Sequence, residues 1–221
     1  WRAGSSGNRA GNLGHVTPVR LLPALAATLV LAACTPAPAS PSGTPVAASP
    51  EQASSVPADL TALRQQFGLP DCPPTDPAAT QVPGGLPQTQ LACLGGDGAV
   101  NLAGLPRTPT VVNLWAQWCG PCREESPYLR EGLAELDGVS FVGVNYNDPK
   151  PDWAIEFAGL VGWTYPHVVD EDKSLQLPLR VPGLPTTYFI DADGRIAGVH
   201  AGPCESTDQL VALADEYLGA R

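Results

Sequence analysis

The run Val111-Val112-Asn113-Leu114-Trp115 is apolar, rich in β-branched and aromatic residues, and bounded by Pro109 and Gly120, which predicts a buried central strand. From Pro121 to Leu136 the apolar positions Leu129, Leu133 and Leu136 recur at helical spacing. Pro121 fits this helix because first-turn N–H groups have no intrahelical partner. Gly138 closes the helix, Val139 to Asn145 predicts a second buried strand, and Asp152 to Leu160 predicts another helix. A strand, a crossover helix and a strand imply parallel pairing.

Further on, Pro185 opens the apolar strand Thr186 to Ile190. Asp191-Ala192-Asp193-Gly194 is a hairpin turn leading to an edge strand, Arg195 to Ala201. Thr207 to Leu218 is an amphipathic helix with Leu210, Leu213, Ala214 and Tyr217 inward. Upstream, Gln88 to Leu94 alternates in strand fashion, and the turn Gly95-Gly96-Asp97-Gly98 predicts a hairpin of Leu91–Leu94 with Ala99–Leu102. Asp59 caps a short helix to Phe67 with Leu60, Leu63 and Phe67 on its apolar face. The class is α/β, a central mixed sheet flanked by helices.

The N-terminal quarter has a different character. Arg20 precedes an uncharged stretch, Leu21 to Ala33, too short to span a bilayer comfortably and shaped like a secretory signal. Leu31-Ala32-Ala33-Cys34 resembles the bacterial lipobox, which makes Cys34 a lipidation site and a stable anchor. The alternatives are an uncleaved anchor helix, or ordinary cleavage with a free Cys34; all three put the domain outside the cytoplasm. The chain begins at Trp1 and holds no methionine, so residues 1–33 are read as a signal region with an incomplete start. Residues 34–58 are a Pro-, Ala- and Ser-rich linker, 59–103 an N-terminal extension and 104–221 the main domain.

All 22 acidic residues lie from Glu51 onward with nine of the 12 basic ones, a net charge of −13 for that part. Such a body argues against an electrostatic footprint for nucleic acid.

The candidate chemistry is Cys119-Gly120-Pro121-Cys122, where the strand turns into the helix. Free N–H groups and the helix dipole there favour a thiolate on Cys119, the attacking sulfur. Cys122, one turn on and more buried, is the resolving thiol. A zinc half-site is the alternative, but no second pair and no His pair at metal spacing accompany it, so no metal or cofactor is expected. In an oxidising compartment Cys72 and Cys93 are expected to be joined, stapling a poorly cored segment; a second redox pair or two free thiols are the alternatives. Cys204 is left over as a buried thiol, a reactive one, or a site for intermolecular pairing.

Trp118-Cys119-Gly120-Pro121-Cys122 after an apolar strand resembles the redox signature of the thioredoxin superfamily. Asn113, Trp115, Trp118, Cys119, Cys122, Glu125 and Pro127 follow the pattern of membrane-tethered TlpA/ResA-like thiol-disulfide oxidoreductases of bacteria, over roughly residues 88 to 218. The resemblance implies a thioredoxin-like fold with a β-hairpin extension before its first strand. It also implies a cis-proline at Pro185, where an ordinary trans proline is the alternative. A cis bond there turns the Leu184 backbone outward, so an extended substrate could pair beside Cys119, with Trp118, Gly120 and Pro121 forming the rest of the contact surface. The family places a buried or half-buried glutamate at Glu125, able to take up the proton the cysteines exchange; the other reading is a solvated charge beside Glu124. Asn113 stands where cytoplasmic thioredoxin has a buried aspartate and cannot titrate, which favours that role for Glu125. His167 and His200 are read as structural.

The expected activity is disulfide exchange with protein thiols and disulfides at the outer face of a bacterial cell membrane, by a monomer supplied by a membrane electron donor. The Gly-Pro dipeptide leans towards a reductase, since thioredoxin lies near about −270 mV and a stabilised thiolate pair near about −120 mV. TlpA/ResA-like proteins commonly reduce apocytochrome c cysteines, which makes cytochrome c maturation the implied role. An extracytoplasmic oxidase, or a redox-inert chaperone or metal-binding lipoprotein, are the competing readings.

Overall fold

The computed structural model describes residues 59–220; the signal region, Cys34 and the linker lie outside the described residues. In chain order the elements are α1 (Leu60–Gln66), β1 (Gln90–Cys93), β2 (Ala99–Asn101), β3 (Thr110–Trp115), α2 (Gly120–Glu135), β4 (Ser140–Tyr146) and α3 (Pro151–Leu160). They continue with β5 (His167–Asp170), α4 (Gln176–Leu179), β6 (Thr186–Ile190), β7 (Ile196–Ala201) and α5 (Thr207–Leu218). The strands form one seven-stranded sheet in the order β2-β1-β5-β4-β3-β6-β7. The three inner strands β5, β4 and β3 run parallel, and the flanking pairs are antiparallel. The expected mixed sheet and thioredoxin-like arrangement are present.

β3 is buried at every position because the sheet is covered on both faces, which is why its sequence runs apolar without alternation. Val111 and Trp115 pack with Leu129 of α2, Ile155 and Ala158 of α3 and Leu210 of α5. Val112 and Leu114 point the other way, against Val142, Val144, Val168 and Tyr188. By contrast the edge strand β7 alternates between half-buried and exposed positions.

α2 carries Pro127 in its interior. Proline has no N–H to offer the Arg123 carbonyl four residues back. Ser126 Oγ donates to that carbonyl instead, at 2.9 Å, so the missing bond is replaced from within the helix. Against α5 the approach is close: a Cβ at Gly132 would lie 2.5 Å from Leu210 Cδ2. Within the sheet, a Cβ at Gly143 would collide with the His167 ring, which faces it across the β4–β5 pair. Glycine in mid-strand here makes room for a ring that accepts a hydrogen bond from Trp115 Nε1 at 3.2 Å.

Two expectations change in detail. The helix capped by Asp59 buries Arg64 most deeply, while Leu60, Leu63 and Phe67 are only partly buried. The guanidinium is satisfied by the Gly95 and Leu69 carbonyls and by Asp71 at 2.7 Å, partners brought in by the tertiary fold. The β1–β2 hairpin is also more than an appendage, since β1 pairs antiparallel with β5 and extends the main sheet. β5 itself and α4 carry no strong local pattern, and the sequence did not predict them.

Candidate active site

Cys119 is the N-cap of α2, in extended conformation, and its Sγ accepts from the Cys122 amide at 3.2 Å. The two sulfurs form a disulfide with Cα atoms 5.3 Å apart. Cys122 has no exposed surface and Cys119 4%, so the attacking sulfur expected from the sequence is the outer of the two. First-turn amides with no intrahelical partner surround Cys119 and favour negative charge there. Gly120 and Pro121 form the first turn; a side chain at Gly120 would meet nothing within 4 Å, so openness there is a property of the surface.

In front of Cys119 lies an open groove of about 350 Å³, lined by Trp118, Gly120 and Pro121 on one side and Val181, Pro182, Gly183 and Leu184 on the other. The Leu184–Pro185 peptide bond is cis, and the Pro185 carbonyl accepts from Gly202 N at 3.0 Å. Trp118 is 51% exposed, and its indole N–H donates to the Asn147 carbonyl at 3.0 Å. Tyr146, Asn147, Lys173 and Gln176 complete the lining. These four were not singled out in the sequence. They lie at or just beyond the C-terminal ends of the parallel strands β4 and β5, where open α/β sheets gather ligands, and that rule was the available signal.

Glu125 is completely buried on α2, one turn beyond Cys122. Asn113 Nδ2 donates to its Oε1 at 3.0 Å, and the Cys204 amide to its Oε2 at 3.1 Å. Burial outweighs these two bonds and pushes its carboxyl up to about 7 from 4.5. The reading of Glu125 as a solvated charge is therefore corrected: Asn113 and the loop after β7 enclose it. Asn113 also donates to Thr187 Oγ1 at 3.1 Å, tying β3, α2 and β6 into one polar network beneath the redox helix. Cys204 is a free, buried thiol pushed up to about 12, first by burial and then by Glu125. It belongs to this network through its backbone, and the reactive reading of its sulfur does not fit that environment.

Cys72 and Cys93 are disulfide-bonded across 21 residues of sequence, and neither lines the groove. His167 is buried, and its imidazole is held neutral, lowered to about 3 by burial. Among the described residues no group of three or more His, Cys, Asp or Glu side chains could hold a metal ion. No helix among them is long and apolar enough to cross a membrane.

A strand running into a helix capped by one of two disulfide-bonded cysteines, with a cis-proline segment across the groove, is an arrangement of the thioredoxin-like fold class. Residues 78–215 match the Redoxin family, and the chain belongs to it. Within it the chain is a TlpA/ResA-like thiol-disulfide oxidoreductase. It is 38% identical over 135 residues to the thiol:disulfide interchange protein DsbE of Pseudomonas fluorescens biotype C, covering 60% of this chain and 73% of that one. The thiol-disulfide oxidoreductase ResA of Geobacillus thermodenitrificans strain NG80-2 is 33% identical over 99 residues, 44% of this chain and 56% of the relative. Among solved structures, a secreted Mycobacterium tuberculosis disulfide oxidoreductase homologous to Escherichia coli DsbE superposes with a TM-score of 0.51 at 25% identity, covering 59% of this chain and 94% of that one.

Proposed function

We propose that the protein is an exported reductase of disulfides in protein substrates, with Cys119 as the attacking sulfur and Cys122 as the resolving one. The observation that carries this reading is the placement of Cys119 at the N-terminus of α2, at the edge of a groove whose opposite wall ends in the cis Leu184–Pro185 bond. An extended substrate pairs with the Leu184 backbone and brings its disulfide to Cys119. The Cys119 thiolate attacks one substrate sulfur, forming a mixed disulfide and releasing the other as a thiolate. Cys122 then gives up its proton and attacks Cys119 Sγ, so the substrate leaves fully reduced and the Cys119–Cys122 pair holds the oxidising equivalents. Glu125, with its carboxyl near 7, is the acceptor for the Cys122 proton. A dithiol donor associated with the membrane reduces the pair for the next cycle.

Export and an anchor at Cys34 are part of the proposal, supported by the signal-like segment before that cysteine. The TlpA/ResA resemblance makes the haem-binding cysteines of an apocytochrome c the first substrate class to try. The test is Cys122→Ser in the reduced protein mixed with a disulfide-bonded peptide of that class. A Cys119–peptide adduct is expected to accumulate by mass, and no adduct would refute the roles assigned to the two sulfurs. The direction is read from the potential of the wild-type pair: near about −270 mV supports a reductase, and well above about −200 mV an oxidase.

A further inference from the structure

Among the described residues three acidic side chains are buried: Glu125, Asp148 and Asp170. Glu125 lies in the network under the redox helix. Asp170 caps its own turn, accepting from Ser174 N, Ser174 Oγ and Leu175 N. Asp148 is different. It is 1% exposed, and its Oδ1 accepts the local bond of an Asx turn from Lys150 N at 3.2 Å. Its Oδ2, however, accepts from Gln117 N at 2.8 Å, 31 residues away in sequence, and from Asn145 Nδ2 at 3.0 Å. None of the side-chain ion pairs among the described residues involves it.

Gln117 lies two residues before Cys119. Its carbonyl accepts from Arg123 Nη1 at 3.1 Å, so its flanking peptide groups are gripped on both sides. The following residue, Trp118, is tied by its indole N–H to Asn147, the neighbour of Asp148. Asn147 has a left-handed φ of 52°, and its amide donates to Asp170 O at 2.9 Å, which fixes the turn itself. The turn after β4 therefore holds the segment that presents the nucleophile, and it does so with a buried carboxylate. A full hydrogen-bond shell satisfies such a carboxylate without cancelling its field. A negative charge near Cys119 opposes the thiolate and so lowers the stability of the reduced form. In a dithiol–disulfide couple this makes the pair more reducing, the reverse of the strong oxidants whose reduced form is stabilised.

We propose that Asp148 is a positioning residue that fixes the Gln117–Trp118 segment and, through its charge, sets how reducing the Cys119–Cys122 pair is. This deepens the reductase reading and rests on Cys119 being the attacking sulfur. The other charged or titratable groups are Tyr146 and Lys173, which line the groove with Cys119, Arg123 on the Gln117 carbonyl, Glu125 one turn beyond Cys122, and Lys150, whose amide bonds Asp148 itself.

The experiment compares the full chain with Asp148→Asn, close in shape and without the charge. Two quantities are read: the equilibrium with reduced and oxidised glutathione, and the pH at which iodoacetamide alkylates Cys119 at half its maximal rate. The equilibrium is expected to move about tenfold towards the dithiol, equivalent to a potential about 30 mV higher. The alkylation half-point is expected to move to lower pH. A merely structural role for Asp148 would move neither in the folded protein. Either quantity unmoved overturns the proposal, as does an equal shift in Asp170→Asn, whose carboxylate is just as buried but holds a different turn. Should Asp148→Asn not fold, Asp148→Ser keeps a short acceptor near the Gln117 amide and carries the same readouts. A wild-type protein that exchanges no disulfide would refute the proposed function, while the alkylation profiles would still decide the role of Asp148.

Discussion

The molecule contains two disulfides of nearly the same span, with Cα atoms 5.8 Å apart for Cys72–Cys93 and 5.3 Å for Cys119–Cys122, yet their surroundings differ in almost every other respect. Cys93 ends β1, inside the sheet between β2 and β5, and its bond closes 21 residues of chain rich in proline and poor in bulky apolar side chains. Cys119 and Cys122 close three residues within one helical turn and face a groove. Closure entropy grows with the length of chain enclosed, so the first bond removes much freedom from the unfolded state and the second very little. Opening the second leaves a helix that is complete without it. The lesson is that a disulfide becomes reagent or staple through its loop length and its neighbours, rather than through the bond itself.

The largest effect that separates the two pairs is on exchange. Cys119→Ser is expected to abolish reduction of a peptide disulfide, whereas the double variant Cys72→Ala with Cys93→Ala keeps it. The same double variant is expected to lose about 3 kcal/mol of folding stability, the entropy of a loop of this length. Denaturant unfolding and a peptide-reduction assay on the same samples check both halves. Loss of exchange in the well-folded double variant would mean that the pairs communicate, and the division of labour would fail.

The Cys119–Cys122 pair at the start of α2 was legible from sequence because its signals are local: an apolar run ending in two cysteines, a proline at the first helical turn, and the motif at Val181 to Asp191. α5 was legible for the same reason, with its periodic apolar stripe between Ser206 and Gly219. β5 was not, because Tyr165-Pro166-His167-Val168-Val169-Asp170 is short and lacks alternation. It becomes a strand by pairing with β4 on one side and β1 on the other, partners far away in sequence. The burial of Arg64 and Asp148 was hidden likewise, since the groups that satisfy them come from Gly95 and Gln117. Glu125 stood between two readings on sequence alone, and only Asn113 and the Cys204 amide, converging from β3 and the loop before α5, separate them.

Glu125, buried one turn beyond Cys122, sharpens the contrast and yields a smaller, pH-dependent effect. With the carboxyl of Glu125 raised from 4.5 to about 7, the folded protein keeps a proton that the unfolded chain has released between those values. Its contribution to stability is therefore greatest below about pH 4.5, falls as pH rises through about 7, and is flat above. Glu125→Gln has no such slope. The stability of the variant relative to wild type is expected to climb with pH across this window, by up to about 3 kcal/mol. His167, lowered to about 3, loses stability as pH falls below 6.5 in both proteins and cancels in the difference. Parallel stability curves from pH 4.5 to 8 would show that Glu125 holds no such proton, and its place as the acceptor for Cys122 would go with it.

The smallest effect concerns the rim. Trp118 is half exposed, and its indole N–H makes a single bond to Asn147 O at 3.0 Å. A neutral bond at such a surface contributes about 1 kcal/mol net, so Trp118→Phe should leave the melting temperature within a few degrees of wild type. The ring remains to line the groove, but its tether to the turn after β4 is gone. Exchange with a peptide disulfide is expected to slow by about fivefold, since loss of one such bond corresponds to a factor of that order. Reduction of a small aromatic disulfide, which needs only the Cys119 sulfur and no register along the groove, should fall much less. Equal losses with both substrates would place the indole in the chemistry of Cys119 rather than in the seating of the peptide. The groove would then have to be held by the Leu184 side alone.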